Sequence, residues 1–245
     1  MKKNILLPLL SFLLVLQFSC KNDPLADCFY STGKITSESR ECSQNFSTIT
    51  VYDNINLIYT DDSVASIRVE AGNNLLSDIT SDITDGNLIL HNNNRCNWVR
   101  RFDIPVNIYV HSNTVTKLVG RNSGNITSAN IIHRLVFEFQ GWSSTHFDLS
   151  MEVNELDCSL NLDACDATVR GHANTCFLWS AGNGEFHGES LVCDFLSLTN
   201  MSTGDVFVNT PSVLWVNILD EGNVYYKGNP SIAAVVKGVG RLIKE

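Results

Sequence analysis

The sequence predicts an all-β chain, a parallel β-helix of about seven rungs behind a run of separate N-terminal strands. Three observations carry the prediction. From Leu118 onward, short apolar strands begin near Leu118, Leu135, Leu156, Cys176, Leu196, Leu214 and Ala233, at intervals of roughly twenty residues. Each is followed by a small or polar turn and a second short strand, at Gly124-Asn125-Ile126, Thr145-His146-Phe147, Asp166-Ala167-Thr168, Gly184-Glu185-Phe186, Gly204-Asp205-Val206, Gly222-Asn223-Val224 and Gly240-Arg241-Leu242. Within the strands, apolar and polar residues alternate with period two.

The N-terminal elements come in close succession. Alternation marks strands at Thr48 to Tyr52 and Ile55 to Tyr59, and Ile67-Arg68-Val69, Leu88-Ile89-Leu90 and Val106 to Val110 continue the pattern. Asp85-Gly86-Asn87 is a turn ahead of one of them. Only Asn73 to Ile83, with Leu75, Leu76, Ile79 and Ile83 at helical spacing, predicts a short helix.

A strand-turn-strand unit of this size cannot bury its own apolar face. Neighbouring units must therefore stack and pair their strands in parallel, each covering the next. Alternation then points Leu156, Cys158, Leu160 and Leu162 inward and Asp157, Ser159 and Asn161 outward. Leu178, Leu198 and Val216 fall at the inward position of Cys158 in the following rungs.

Composition fits a folded, exported body. Hydrophobic residues make up 44% of the 245 and charged ones 18%, with only five prolines, which describes a globular chain. Lys2 and Lys3, the apolar stretch Ile5 to Leu16 and Gln17-Phe18-Ser19-Cys20 read as a signal peptide, too short to span a bilayer. Ser19-Cys20 resembles the bacterial lipobox, which would make Cys20 the acylated N-terminus of an outer-membrane lipoprotein, periplasmic or displayed outside. The alternative is an ordinary secretory cleavage with Cys20 incidental. The chain then divides into a signal (1–19), an anchor linker with an N-terminal segment (20–45) and a single solenoid domain (46–245). Loss of the signal leaves 15 basic against 26 acidic residues, so the body should repel nucleic acid and reach a membrane only through its lipid.

Seven cysteines follow Cys20. Cys28 and Cys42 flank a short segment and are candidates for a disulfide; those after Cys96 fall at strand positions and read as small core hydrophobes rather than zinc ligands.

Several local motifs resemble the putative auto-transporter adhesin head GIN domain family of bacterial envelope lipoproteins. They are Ile49 to Ile55, Asp85 to Leu90, Ser123 to Ile126, Tyr226 to Pro230 and Gly238 to Gly240. The resemblance implies a right-handed parallel β-helix with irregular N-terminal strands, and a role in adhesion. The glycine-free turns at Ser144-Thr145 and Cys165-Asp166 depart from the pattern.

Function is expected to be binding rather than catalysis, with no cofactor. Parallel β-helices also host polysaccharide lyases and hydrolases, which need carboxylates converging on one sugar or a basic residue beside bound calcium. Glu152, Asp163, Asp166, Glu185, Asp194, Asp205 and Asp220 read as turn residues that do not stack at one rung position. The histidines lack metal-ligand spacing, and no Gly-x-Ser-x-Gly elbow occurs.

Two places are candidates for a ligand. Alternation puts Phe177 and Trp179 on the outer face with Trp215 two rungs further along, a column able to stack on sugars or anchor a partner, unless the N-terminal strands or a second subunit cover it. That same column could drive self-assembly into a homo-oligomer. Arg95 to Phe102 is a basic aromatic loop whose Arg95, Arg100 and Arg101 with Trp98 could hold an anionic sugar or a partner's carboxylates, or simply pair with nearby acids.

Overall fold

The computed structural model describes residues 31–42, 44–94 and 104–245. Eighteen strands and one short 3-10 turn make up its regular structure. The first seven strands are β1 (Ile35–Arg40), β2 (Thr48–Asp53), β3 (Asn56–Thr60), β4 (Ser66–Gly72), β5 (Ile79–Thr84), β6 (Asn87–Asn92) and β7 (Asn107–His111). The repeat region holds β8 (Lys117–Asn122), β9 (Asn125–Ser128), β10 (Ile132–Gly141), β11 (His146–Leu160), β12 (Asp166–Gly182), β13 (Phe186–Ser202), β14 (Val206–Asn209), β15 (Val213–Ile218), β16 (Val224–Lys227), β17 (Ser231–Val236) and β18 (Leu242–Lys244).

These strands wind into a β-solenoid, and parallel pairing lines their inward residues into columns. On the first face the column runs Leu88, Ile49, Leu118, Phe139, Cys158, Leu178, Leu198, Val216, Ala234. On the second face it runs Ile108, Leu57, Ile126, Phe147, Ala167, Phe186, Val206, Val224, Leu242. From Leu118 on, the second column uses the inward residue of each expected turn unit. Nearly all of these side chains are fully buried, each worth about 1.5–3 kcal/mol of hydrophobic burial for a Leu, Val or Phe.

A third face appears only in the middle of the solenoid. The strands β11, β12 and β13 are 15 to 17 residues long and bend through a corner without a turn residue. Their central segments stack Ile132 on Met151, Gly171 and Leu191, and Arg134 on Val153, Ala173 and Cys193. The two-strand unit read from the sequence is therefore a three-sided coil here, because Ser150, Glu152 and Asn154 extend the alternation past the corner instead of interrupting it.

At the N-terminal end, order along the chain is not order in space. The β2–β3 coil lies between the later coils β6–β7 and β8–β9, pairing in parallel with both. Antiparallel strands close this end: β4 pairs with β7, β1 with β4, and β5 with β6. The helix expected over Asn73 to Ile83 is not there. A single 3-10 turn, Leu76–Asp78, gives way to β5, since Thr80, Ser81 and Thr84 favour extended backbone and find partners across β6.

Two corner devices explain the turn composition. In the later rungs Gly184, Gly204, Gly222 and Gly240 stack in one file, and a Cβ on Gly204 would stand 2.0 Å from the carbonyl oxygen of Gly184. In the earlier rungs the corner carries buried Thr145 and Cys165 instead, and the space they need is left by strand glycines: a Cβ on Gly120 would strike Thr145, and one on Gly141 would strike the Cys165 sulfur. The glycine has moved from the corner to the strand facing it. Cys165 is thus a corner residue, not a strand residue as expected.

The second device corrects the reading of the acids. Asp166, Glu185 and Asp205 occupy one rung position, immediately before the inward residues Ala167, Phe186 and Val206. Asp166 Oδ1 accepts the Glu185 N–H at 2.9 Å, Asp205 Oδ1 accepts the Asn223 N–H at 2.7 Å, and Asn223 Oδ1 accepts the Arg241 N–H at 3.1 Å. The file is structural: Asp166, Asp205 and Asn223 each cap the corner of the next coil, while the Glu185 carboxylate meets His187 Nε2 at 3.1 Å on its own coil. Asp205→Ala should lower stability by about 1.5–3 kcal/mol in urea unfolding, because it removes an ionised acceptor from a corner N–H.

The buried cysteines behave as core hydrophobes. Cys158, Cys165, Cys176 and Cys193 are free thiols inside the solenoid. Burial pushes the Cys165 thiol up to about 12 and that of Cys158 well above the ordinary range, and a hydrogen bond with Cys193, together with burial, does the same to Cys176, so these three are not poised for reaction. Cys42 is half-buried against the core edge; Cys28, its expected partner, lies outside the described residues. Leu162, expected inward, is exposed, because β11 ends at Leu160 and the chain turns at Asp163 with φ of 57°.

Candidate functional site

The outer side of the first face carries the candidate site. Phe177 follows inward Cys176 and Trp179 follows inward Leu178, so pleating turns both rings to solvent. Register places Phe177 beside Ser197, and Ser197 beside Trp215; Trp179 lies two residues along, beside Thr199. Phe177, Trp179 and Trp215 are 43%, 41% and 54% exposed, so neither the N-terminal strands nor any other described part of the chain covers them.

One aromatic in this group escaped the sequence reading. Phe195 sits at the edge of the strip, its ring edge-on to both Phe177 (centroids 6.5 Å apart) and Trp215 (5.0 Å). It bridges two rings that lie two rungs apart, while Trp179 stands two residues along the strand from Phe177. Simple alternation hides it, because Asp194 and Phe195 are both half-buried where β13 bends through the corner.

Beside the rings the same strand positions become acidic. Running back along the stack, Phe177 pairs with Asp157, Asp157 with Glu138, and Glu138 with Lys117. Lys117 Nζ reaches Glu138 at 2.9 Å, while Asp157 has no cation of its own among the described contacts. Burial raises the Asp157 carboxyl above its usual range, and the charges of Glu155 and Glu138 push it in the same direction. A groove of about 210 Å3 runs between Asp157, Ser159, Phe177, Trp179, Ser197 and Thr199. A wider one of about 680 Å3, lined by Lys117, Glu138 and Leu135 among others, continues past Asp157. Planar apolar rings, two carboxylates and three hydroxyls thus share one shallow trough.

The proton linkage at Asp157 has a definite sign. A carboxyl whose folded pKa is raised binds its proton more tightly in the folded state, so its contribution to stability is greatest below the unfolded pKa and is lost as pH rises through the folded one. Asp157→Asn should therefore melt higher than the parent at pH 7 and no higher at pH 3, a difference thermal unfolding at the two pH values would show.

A second aromatic file, also absent from the sequence reading, lies on the outer side of the second face. His187, Phe207 and Tyr225 stack on successive rungs, with centroid separations of 5.1 and 4.8 Å and nearly parallel planes. Its faces are turned to one another, so only ring edges meet solvent. The signal was present in each unit, since Phe207 and Tyr225 directly follow the inward valines Val206 and Val224.

The remaining sequence candidates fall into place or outside the described residues. Histidines sit beside carboxylates, as His91 does with Asp53 at 3.2 Å and His111 with Asp62 at 3.3 Å. Among the described residues no group of three potential ligands could hold a metal ion. Arg95, Trp98, Arg100 and Arg101, like Cys20, lie outside them. No helix among the described residues is long and apolar enough to cross a membrane.

Comparison with known proteins agrees with this architecture. Residues 45–230 match the family model described as putative auto-transporter adhesin, head GIN domain. The chain belongs to this family. No curated protein matches it. Among solved structures, a putative adhesin from Bacteroides fragilis NCTC 9343 superposes with a TM-score of 0.80 at 19% identity, covering 88% of this chain and 100% of that one. A putative lipid binding protein from Parabacteroides distasonis ATCC 8503 gives 0.67 at 17%, covering 88% and 99%. A putative adhesin from Parabacteroides merdae ATCC 43184 gives 0.60 at 16%, covering 88% and 98%. At these identities the likeness is one of fold, and the GIN family membership adds an adhesin-like role at the cell envelope.

Proposed function

We propose that this GIN-domain protein is a non-catalytic, lipid-anchored adhesin of the outer membrane that binds glycan along the trough beside Phe177, Trp179, Phe195 and Trp215. The observation that carries the reading is the exposure of three large rings on one outer face, two of them, Phe177 and Trp215, joined through Phe195. Sugar rings present flat apolar faces that stack on such side chains and hydroxyl rims that donate to carboxylates and serine or threonine oxygens. Asp157, Ser159 and Thr199 supply those acceptors within the same groove. The anchor rests on the Ser19-Cys20 sequence, with residues 20–45 as linker and 46–245 as one unit.

A glycan array probed with the full chain tests the reading. Trp179→Ala combined with Trp215→Ala should lower signal on the bound glycans at least tenfold while the circular dichroism spectrum stays that of the parent. Both rings stand in solvent, so their removal leaves the core columns untouched. Retention of full binding by the double variant would discard the trough. A drop in mass of the parent protein on the same substitution would instead assign the rings to self-assembly.

A further inference from the structure

The two ends of the solenoid are finished differently. At the N-terminal end, β4, β1 and β5 lie antiparallel over the last parallel coil, and β1 presents Glu38 to solvent while Arg40 folds back to donate to the Leu76 carbonyl. At the other end β17 pairs with β15 alone among the described strands. Its sequence, Ser231 to Val236, carries no charge and no proline, and every residue in it is exposed. Ile232, Ala234 and Val236 continue the core columns of Leu214, Val216 and Ile218, yet Ile232 is 41% and Val236 50% exposed, with no rung among the described residues stacked on their far side. Open, apolar, uncharged edges of this kind invite pairing, and stacked-repeat proteins ordinarily close them with a polar cap.

We infer that a second copy of this chain docks on this end, β17 pairing antiparallel with its counterpart about a two-fold axis through Ala234. Backbone direction sets the register. Ser231 and Lys237 donate their N–H groups toward the β15 side, to Ser212 O and Ile218 O, both at 2.8 Å. In a parallel pair alternate residues point the other way, so Ile232, Ala234 and Val236 offer their N–H and C=O groups to the free edge. A two-fold at Ala234 sets Ala234 against Ala234 and Ile232 against Val236, so that inward side chains meet inward ones and the core columns run on from one copy into the other.

Charge identifies the occupant. The whole chain has a formal charge of −9, so most approaches between two copies are repulsive. From Asp220 to Glu245, however, four bases (Lys227, Lys237, Arg241, Lys244) stand against three acids (Asp220, Glu221, Glu245). This is where two acidic bodies can touch. The register also sets Lys237 opposite Ser231 of the other copy, so no like charges face each other across the pair.

The test uses the full chain in detergent micelles. Its light-scattering mass should be that of a dimer, and Ala234→Pro should halve it, since proline removes only an N–H that faces away from β15 and leaves the coil intact by circular dichroism. Ala234→Cys provides an independent reading. An antiparallel hydrogen-bonded pair sets its Cα atoms about 5.5 Å apart, within disulfide reach, so oxygen with a copper catalyst should join two copies by removing one hydrogen from each thiol. Met201→Cys, exposed on β13, should give no more covalent dimer than the parent. A monomeric parent, a dimer that survives Ala234→Pro in folded protein, or equal cross-linking by the Ala234→Cys and Met201→Cys variants would each overturn the inference.

Discussion

Gly204→Ala is expected to cost about 3 kcal/mol of stability, a large fraction of the total for a protein of ordinary marginal stability. Nothing flexible stands in the way of the new methyl group. It would meet the carbonyl oxygen of Gly184 at 2.0 Å and the carbonyl carbon at 2.7 Å, both backbone, in a file where each corner rests on the one before. Relief requires neighbouring coils to separate, which opens the columns beneath Leu198 and Val206. Gly86→Ala is the matched control. Gly86 has φ of +74° with no atom within 4 Å of a Cβ, so only backbone strain of about 1 kcal/mol is expected. Urea unfolding of the two variants should separate them by a factor of three or so in lost stability; comparable losses would mean that the stacked corners are not close-packed in solution.

Arg134→Ala should be as damaging for a different reason. Its guanidinium grips both oxygens of Asp61 at 2.8 and 2.9 Å, donates to the Tyr59 hydroxyl at 2.9 Å, and reaches the Val115 carbonyl through Nε at 2.8 Å. The pair is 12% and 9% exposed. Tyr59 in turn donates to the Ser112 carbonyl at 2.6 Å. The network fastens β3, near the start of the folded region, to β10, more than seventy residues later. Deleting the cation leaves a carboxylate and a carbonyl facing a shielded space, a loss of about 3–5 kcal/mol. Arg134→Lys should recover less than half of it, because an ammonium cannot bridge two carboxylate oxygens while also satisfying Tyr59 and Val115. Thermal melts of Arg134→Ala, Asp61→Ala and the double variant give the coupling directly; additive losses would contradict the network.

Much of this architecture was legible in the order of residue types. The inward residues Phe147, Ala167, Phe186, Val206, Val224 and Leu242 each follow a corner motif visible in the chain, and the columns of the second face confirm that spacing. The outward placement of Phe177, Trp179 and Trp215 followed from pleating alone. What stayed hidden depends on contacts between coils. Phe195 joins the aromatic strip because β13 bends at that point, and period-two counting carries no bend. Asp157 and Glu138 come next to Phe177 only through register, which no single unit reveals. Asp166, Glu185 and Asp205 share a rung position through the pairing of the inward residues that follow them, Ala167, Phe186 and Val206, and their corner caps reach from one coil to the next, which no single unit reveals.

The interleaving of the first coils bears on how the chain acquires its shape. Thr48 finds its partners at Asn87 and Lys117, 39 and 69 residues ahead, whereas Leu198 meets Val216 after only 18. Loop closure over the longer spans is entropically dearer, and contacts remote in sequence slow folding. The coils from β11 onward can therefore assemble one upon another by local zipping, while β2 and β3 are flanked on both sides only once the chain as far as Ser128, which holds β6 to β9, is available. Refolding should show a fast phase for the C-terminal coils and a slow one that ends when the latecomer coils close around the segment made first.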